Sequence, residues 1–191
     1  MSASYESSAA FFEAKYRQTA DPWDFVSDPY ELCRYDAILA ALSHRRYRQA
    51  FEPGCSVGVL TAKLAGICDA VEAVDFSPTS VERARERCVH LPGVRVSCRS
   101  FAERMPVENF DLIVLSEIGY YFEPREWGGI SARLIAAMVP GTTLLAAHWL
   151  GYSSDHRMNG DRVHEILSSN LLSLQHSERH DAFRLDRWVR V

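Results

Sequence analysis

The chain has 191 residues, of which 47% are hydrophobic, and this length is typical of one domain with one core. Its formal net charge is −4, which argues against a nucleic-acid partner or an anionic membrane surface. The five cysteines include no Cys-x-x-Cys pair, so neither a disulfide framework nor a zinc knuckle is expected. With no basic and apolar leader and no 18-residue apolar window, these features predict a cytoplasmic protein that acts on a small molecule.

The first 48 residues predict a helical segment ahead of a sheet. Asp28 is an acidic N-cap followed by a proline at the first helical position and by Glu31 at the third, which predicts a helix through Leu42. We expect residues 1–48 to form a lid over a core at 49–191, within a single domain.

Beyond residue 48, short apolar runs alternate with longer amphipathic ones, which indicates βαβ units around a parallel sheet. Helices are predicted at 57–65, from Pro78 to before Pro92 with Ser77 as N-cap, at 124–138 and at 160–170. Strands are predicted at 49–52, 71–74, 94–98, 110–116, 143–147, 172–176 and 183–189. The last two strands would form an antiparallel hairpin. The predicted fold is therefore a Rossmann-like, doubly wound α/β fold with a mostly parallel seven-stranded sheet.

A glycine turn follows the first predicted strand and reads Glu52-Pro-Gly54-Cys55-Ser56-Val-Gly58. Such a turn lets backbone N–H groups and a helix start approach a ligand closely. The spacing departs from the Gly-x-Gly-x-x-Gly of dinucleotide sites, and Glu52 would repel a pyrophosphate but could hold a cationic amino acid moiety. Ser56 is predicted to cap the helix that follows the turn.

Asp75 ends the second predicted strand, seventeen residues after Gly58. Since the carboxyl ends of neighbouring parallel strands share one edge of the sheet, Asp75 is expected beside the glycine turn. A carboxylate there can accept hydrogen bonds from both ribose hydroxyls of an adenosyl group. The alternative is an aspartate that only caps the next helix.

Five ordered motifs over residues 49–148 resemble those of class I S-adenosylmethionine-dependent methyltransferases. They are Glu52-x-Gly54-Cys-x-x-Gly58, Ala-Val-Asp75-Phe-Ser-Pro78, Ala102-Glu-Arg-Met-Pro106, Phe110-Asp-Leu-Ile-Val-Leu-Ser-Glu117 and Pro140-Gly141. Within that class, the chain resembles the nodulation protein S group at three further motifs, Asp21-Pro-Trp-Asp-Phe25, Pro29-Tyr-Glu-x-x-Arg34 and Ser-Glu-Ile-Gly-Tyr-Tyr121. That group is known for N-methylating an amino sugar of a chitooligosaccharide. The resemblance implies S-adenosyl-L-methionine as cofactor and methyl transfer to an amine, or to an oxygen, of a small molecule.

Cofactor contacts are expected from the lid, the glycine turn and the ends of the central strands. Arg34 is expected to pair with the methionyl carboxylate, or else to lie on a solvated helix face. Ser56 stands where the class commonly has glycine, which is tolerable if its backbone keeps an ordinary conformation. Phe101 replaces an aspartate that often binds adenine, so stacking and the Ala102-Glu103 segment would hold the base. The expected cofactor-binding residues are Trp23, Arg34, Glu52, Gly54, Cys55, Ser56, Gly58, Asp75, Phe76, Phe101, Ala102, Glu103 and Ser116.

Two residues are candidate catalytic bases. Methyl transfer needs alignment, desolvation and, for a protonated acceptor, a base. His148 follows the fifth strand and has a suitable reference pKa near 6.5, although it could simply pack there, and Glu117 after the fourth strand competes for the role. Tyr120, Tyr121 and Trp149 are expected to shape the acceptor pocket, although the tyrosines could belong to the core. No close metal-ligand pattern is present, so no metal is expected.

Two other functions compete with methyl transfer. One is a nicotinamide-dependent oxidoreductase on a related sheet, which Glu52 and the glycine spacing disfavour. The other is a non-catalytic adenosyl-binding protein that keeps the fold without the chemistry.

Overall fold

The computed structural model of the chain describes residues 3–102 and 109–191. The helices are α1 Ala3–Gln18, α2 Pro29–Leu42, α3 Val59–Leu64, α4 Pro78–Arg87, α5 Pro124–Ala137 and α6 Gly160–Leu167. The strands are β1 Tyr47–Pro53, β2 Cys68–Asp75, β3 Val94–Cys98, β4 Leu112–Ser116, β5 Thr143–Trp149, β6 Leu172–Arg179 and β7 Phe183–Arg190. A short 3-10 turn, Gly119–Tyr121, follows β4.

The seven strands form one sheet in the order β3-β2-β1-β4-β5-β7-β6. Strands β1 to β5 pair in parallel, whereas β7 is antiparallel to both β5 and β6. The order reverses between β1 and β4, and open α/β sheets bind ligands in the crevice at such a switch point. The predicted doubly wound, Rossmann-like fold with its terminal hairpin is confirmed.

Helices cover both faces of the sheet because successive strand residues point to opposite sides. Ala50 of β1 packs on the face covered by α2 and α3, and its neighbour Phe51 packs on the face covered by α5 and α6. Central strand β4 is buried on both faces, which explains its continuous apolar sequence. This packing fixes the strand ends that carry the site.

Helix starts confirm two of the predicted N-caps and correct a third. The carboxylate of Asp28 accepts a hydrogen bond from the Tyr30 amide at 2.8 Å, and Ser77 caps α4 in the same way. Ser56 was predicted to cap the next helix, and this was wrong. That helix begins at Val59 without a side-chain cap, because the chain stays curled through Gly58 in the left-handed conformation.

The N-terminal helix α1 is held against the start of α4. Glu13 accepts hydrogen bonds from the hydroxyls of Ser77 and Thr79, each at 2.6 Å. Burial alone would raise the pKa of Glu13, but these bonds outweigh it and lower the pKa to about 2. Arg83 also donates to the carbonyls of Thr19 and Ala20, just after α1. Among the described helices, none has the length and apolarity that crossing a membrane requires.

Candidate functional site

A cavity of about 220 Å³ lies at the switch point of the sheet. Its floor is formed by the carboxyl ends of β1, β2 and β4, and its roof by α1 and by the segment that leads to α2. Nearly all of the residues predicted to bind a cofactor line it: Trp23, Arg34, Glu52, Gly54, Cys55, Ser56, Asp75, Phe76, Phe101 and Ser116. The sequence therefore located the pocket.

Two positions of the turn require glycine, because each has a left-handed backbone conformation and a neighbouring atom where a Cβ would lie. Gly54 has φ +71°, and a Cβ there would lie 2.4 Å from Cγ2 of Ile118. Gly58 has φ +79°, and a Cβ there would lie 2.9 Å from Cβ of Ala84 on α4. The Gly54 amide donates to the carbonyl of Val74 at 2.7 Å, which ties the turn to β2. The turn is thus wedged between β2, α4 and the segment after β4.

Ser56 departs from the expectation of an ordinary backbone conformation. Its φ is +49°, in the left-handed region that costs a non-glycine residue roughly 1–2 kcal/mol. Two hydrogen bonds hold it there: its amide donates to Oδ2 of Asp75 at 3.0 Å, and its hydroxyl accepts from Tyr16 at 2.6 Å. Ser56 therefore links the turn to the lid.

Asp75 lies where the sequence predicted it, at the end of β2 beside the turn. Its Oδ2 accepts the Ser56 amide, and its Oδ1 accepts the Ser77 amide at 2.9 Å. Burial raises the pKa of Asp75, and these backbone hydrogen bonds oppose that rise. Asp75 also lines the cavity, where its carboxylate can face a ligand that carries paired hydroxyl donors.

Glu52 is a buried carboxyl group at the base of the cavity. Oε2 accepts a hydrogen bond from the Thr61 hydroxyl at 2.6 Å. Burial raises the pKa of Glu52 to about 8, partly opposed by the Thr61 hydrogen bond. Glu52 is therefore largely protonated at neutral pH, and a bound cation would favour its ionisation.

The remaining predicted cofactor residues divide into three groups. Phe76 and Phe101 present aromatic surface to the cavity, and Ser116 lines it with a buried hydroxyl that has no hydrogen-bond partner among the described residues. Ala102 packs behind the cavity against the core. Glu103 lies outside the described residues.

The lid, residues 1–48, contributes an aromatic cluster of which only Trp23 was predicted. Trp23 was predicted, and it contacts Phe12, Tyr16 and Phe25 with ring centroids 5.5–5.9 Å apart. All four rings line the cavity. The spacing of Phe12 and Tyr16, four residues apart on α1, was a signal that could have found them.

Glu117 stands at the end of β4 in a left-handed conformation, with φ +58°. Oε1 accepts a hydrogen bond from the Trp149 amide at 2.7 Å and pairs with Nη1 of Arg34 at 2.9 Å. Oε2 accepts a hydrogen bond from the Tyr120 hydroxyl. Three of about four lone-pair sites are thus used, and one is left for a ligand in the cavity.

Arg34 was expected to meet a cofactor carboxylate, but its two terminal nitrogens bind protein carboxylates. Nη2 pairs with Glu31 and Nη1 with Glu117, and the side chain is 1% exposed. Only the buried Nε lacks a partner among the described residues, so a ligand carboxylate would have to use it or break an ion pair. Burial raises the pKa of Glu31 to about 7, although Arg34 opposes the rise. The expectation of a solvated helix face is wrong.

His148 has no exposed surface and does not line the cavity. Nε2 accepts a hydrogen bond from the Gly119 amide at 3.2 Å, and Nδ1 lies 3.1 Å from Nε2 of His164. Burial holds the pKa of His148 well below its usual range. With both nitrogens engaged inside the protein, the geometry does not support His148 as the base, and it leaves Glu117 as the candidate.

The expected acceptor residues are only partly brought together. Tyr120 and Tyr121 line the cavity, and Tyr120 also stacks on His156 with centroids 3.8 Å apart. The Trp149 ring instead packs over Gly151, and only its backbone amide reaches Glu117. The described part of the chain holds no group of three or more potential ligands arranged for a metal ion.

Comparison with known proteins identifies the family. The sequence model of the family "Nodulation protein S (NodS)" matches residues 11–147. The chain belongs to the NodS family. It is 31% identical to nodulation protein S of Rhizobium tropici over 65% of this chain and 53% of that protein, and 32% identical to the Bradyrhizobium diazoefficiens protein over 65% and 61%. The chain thus spans between half and two thirds of these relatives' length.

Solved structures share the fold of this chain. The chain resembles N-methyltransferase NodS from Bradyrhizobium japonicum WM9 in complex with S-adenosyl-L-homocysteine, with a TM-score of 0.83, 22% identity, and coverage of 95% of this chain and 98% of that one. It also resembles a Pseudomonas syringae protein provisionally assigned as a methyltransferase, with a TM-score of 0.73, 37% identity, and coverage of 84% and 99%. The first match supports the fold.

The NodS match covers most of the lid and all five parallel strands except the last two residues of β5. It therefore includes the glycine turn, Asp75, Arg34 and Glu117, and it ends one residue before His148. The terminal hairpin lies beyond the matched range.

Proposed function

We propose that this NodS-family chain is an S-adenosylmethionine-dependent methyltransferase that methylates an amine nitrogen of a small molecule. We extend the proposal to a single-domain protein that works in the cytoplasm. The observation that carries it is the cavity at the switch point, where Asp75 and the glycine turn stand on one side and Glu117 on the other.

The residues of the cavity fit the parts of the cofactor. The carboxylate of Asp75, which lines the cavity beside the glycine turn, suits the two ribose hydroxyls, and Phe76 and Phe101 offer aromatic surface for adenine. The hydroxyl of Ser116, which has no partner within residues 3–102 and 109–191, and the carboxyl group of Glu52 suit the amino acid part. When bound, S-adenosylmethionine would supply an electrophilic methyl group on its sulfonium.

The charge of the cavity favours cations. Of the described residues, six carboxyl groups and three guanidinium groups line it, and each guanidinium pairs with a carboxylate. Burial raises the pKa of Glu52 to about 8 and that of Glu31 to about 7, but the other four carboxyl groups still outnumber the guanidinium groups. A surplus of negative charge stabilises a sulfonium and an ammonium group. A pyrophosphate would be repelled, so the oxidoreductase alternative is disfavoured.

Glu117 would serve the acceptor. Arg34, Tyr120 and the Trp149 amide fix its carboxylate, and the remaining lone-pair site can accept a hydrogen bond from an acceptor nitrogen. An ammonium must lose a proton before its lone pair can attack, and Glu117 is the group placed to take that proton. The aromatic rings of the lid exclude water and offer surface for the acceptor.

The proposal is tested by incubating the protein with labelled S-adenosylmethionine and a panel of chitooligosaccharide amines, aminoglycosides and phenols. We expect label on amines. Label on phenols alone would contradict nitrogen as the acceptor atom, and no label on any of them, despite tight S-adenosylhomocysteine binding by calorimetry, would favour a non-catalytic adenosyl-binding protein. Preferential binding of NAD would favour the oxidoreductase.

A further inference from the structure

Behind the cavity wall, three polar side chains with no exposed surface connect three elements. They are His148 on β5, His164 on α6 and Asp186 on β7. His148 Nδ1 lies 3.1 Å from His164 Nε2, and His164 Nδ1 lies 2.7 Å from Asp186 Oδ2. Fully buried polar groups are costly unless each is satisfied, so an arrangement of this kind specifies one geometry.

The hydrogen positions in this hydrogen-bond chain follow from its first donor, the Gly119 amide. The Gly119 amide can only donate, so His148 Nε2 must accept and the hydrogen of the neutral ring sits on Nδ1. His148 therefore donates to His164 Nε2, and His164 must in turn carry its hydrogen on Nδ1 and donate to Asp186. All three hydrogen bonds point the same way, from Gly119 towards Asp186.

The Asp186 end of the hydrogen-bond chain is held by further hydrogen bonds. Asp186 also accepts hydrogen bonds from the Ser177 hydroxyl and, at 2.8 Å, from Nε of Arg184. Burial lowers the pKa of His148 and of His164, in keeping with neutral rings, while the hydrogen bond to Asp186 opposes that shift in His164. The terminal hairpin thus fixes the orientation of both imidazoles.

The near end of the chain supports the acceptor wall. Gly119 begins the 3-10 turn two residues after Glu117, and the next residue, Tyr120, donates its hydroxyl to Glu117. A Cβ on Gly119 would lie 2.3 Å from Cγ1 of Val163 on α6, so the turn sits directly on that helix. A shift of the Gly119 amide would therefore move the side chains of Glu117 and Tyr120, which form the acceptor side of the cavity.

We propose that Asp186, His164 and His148 are positioning residues for the methyl acceptor: their directional hydrogen-bond chain holds Gly119, and through it Glu117 and Tyr120, in the reactive arrangement. None of the three touches the cavity. The inference rests on the proposed role of Glu117 at the acceptor.

Two substitutions of His148 separate the two ends of the chain. The amide of Gln reaches the level of Nε2, so His148→Gln keeps an acceptor for Gly119. The shorter His148→Asn places its amide at the level of Nδ1 and leaves the Gly119 amide unpaired. We expect His148→Asn to lower kcat about tenfold or more with an amine acceptor, and His148→Gln, which keeps the Gly119 contact but loses the His164 contact, to lower kcat by a smaller factor, while the Kd of S-adenosylhomocysteine changes little in both.

A core variant controls for lost stability. Ile135→Ala removes buried side-chain atoms of α5 and leaves the hydrogen-bond chain unchanged. If both His148 variants lose activity only in proportion to their stability, as Ile135→Ala does, the histidines are merely structural and the proposal is overturned.

A spectroscopic test does not need an acceptor. In ¹⁵N NMR spectra, His148 and His164 should both be neutral with hydrogen on Nδ1, and the Gly119 amide should be protected from exchange in the wild type and in His148→Gln but not in His148→Asn. An Nε2-protonated or cationic ring at neutral pH would overturn the proposal. A wild-type protein that shows the expected signals yet methylates no acceptor would keep the hydrogen-bond chain and refute the methyltransferase function instead.

Discussion

The two sides of the cavity are built in different ways. On the β2 side, the glycine turn and Asp75 come from two adjacent strands, and backbone amides make most of their contacts. On the β4 side, Glu117 is held by Arg34 from α2, by the Trp149 amide from β5 and by Tyr120 from the following turn. The β2 side is local geometry, and the β4 side is a charge network assembled from distant elements.

This difference has energetic consequences. A backbone-based site depends on conformation and survives many side-chain changes, whereas a buried charge network must be satisfied as a whole. Substitutions on the β4 side should therefore affect turnover and stability strongly. Substitutions on the β2 side should affect cofactor binding and the pH dependence of stability.

The largest effect is expected for Glu117→Gln. The amide cannot take a proton, so turnover with an amine acceptor should fall by about 10²- to 10⁴-fold, while S-adenosylhomocysteine binding should change little. Steady-state kinetics and calorimetry measure the two quantities. Glu165→Gln on α6 is the surface control. Unchanged turnover in Glu117→Gln would remove Glu117 from the role of base.

Arg34→Met tests the charge network through stability. Removal of the guanidinium leaves the carboxylates of Glu31 and Glu117 without their cationic partner. Breaking a buried ion pair in this way costs about 3–5 kcal/mol. The cost should not depend on salt, because the guanidinium is 1% exposed. Urea unfolding at low and high NaCl concentration measures it.

Arg162→Met is the matched control, since Arg162 and Glu165 also form an i,i+3 pair but are more than half exposed. It should cost less than about 1 kcal/mol. Equal costs for the two variants would mean that the Arg34 network contributes no more than a surface pair.

Glu52 gives the β2 side a pH dependence. Burial raises its pKa from 4.5 to about 8, so its contribution to stability is fully present below pH 4.5 and is lost as the pH rises through 8. Glu52→Gln cannot ionise. The variant should therefore gain stability relative to the wild type between pH 5 and 9, by on the order of a few kcal/mol.

Unfolding midpoints without cofactor, measured across this range, check the prediction for Glu52. Glu86→Gln, at an exposed position on α4, should show no such trend relative to the wild type. A constant difference between Glu52→Gln and the wild type would mean that Glu52 is already ionised.

The smallest effect is expected at Ser56. Ser56→Gly relieves the left-handed strain but loses the Tyr16 hydrogen bond, and these terms are each about 1 kcal/mol, so stability should change little. Ser56→Ala keeps the strain and loses the hydrogen bond. The free energy of unfolding should therefore be lower for the Ala variant than for the Gly variant, and the opposite order would contradict a strained Ser56.

The sequence predicted what local rules control. Strand β3 has the predicted bounds, and Asp28 and Ser77 cap their helices, because alternation and capping act over a few residues. Asp75 was placed at the edge of the cavity because parallel strand ends meet there. The fold and the β2 side of the site followed from these rules.

Long-range contacts explain the corrections. Ser56 was expected to cap a helix, but its conformation depends on Tyr16 from the lid and on Asp75 from β2. Arg34 was expected to meet a cofactor carboxylate and His148 to act as a base, yet Glu117 and His164, which engage them, come from other elements that no local pattern specifies. Charge pairing and tautomers are decided by tertiary structure.

The central claim is that Asp75 binds the ribose of an adenosyl cofactor. Asp75→Ala should raise the Kd of S-adenosylhomocysteine by about ten- to a hundredfold, because hydrogen bonds to a charged group contribute about 1.5–3 kcal/mol. The decisive measurement is calorimetry of both proteins with S-adenosylhomocysteine and with its 2′-deoxy analogue, which lacks one hydroxyl donor. The account predicts that the wild type binds the analogue more weakly and that Asp75→Ala binds both ligands equally. If the variant discriminates between the two ligands as strongly as the wild type does, Asp75 is not the ribose ligand and the account is contradicted.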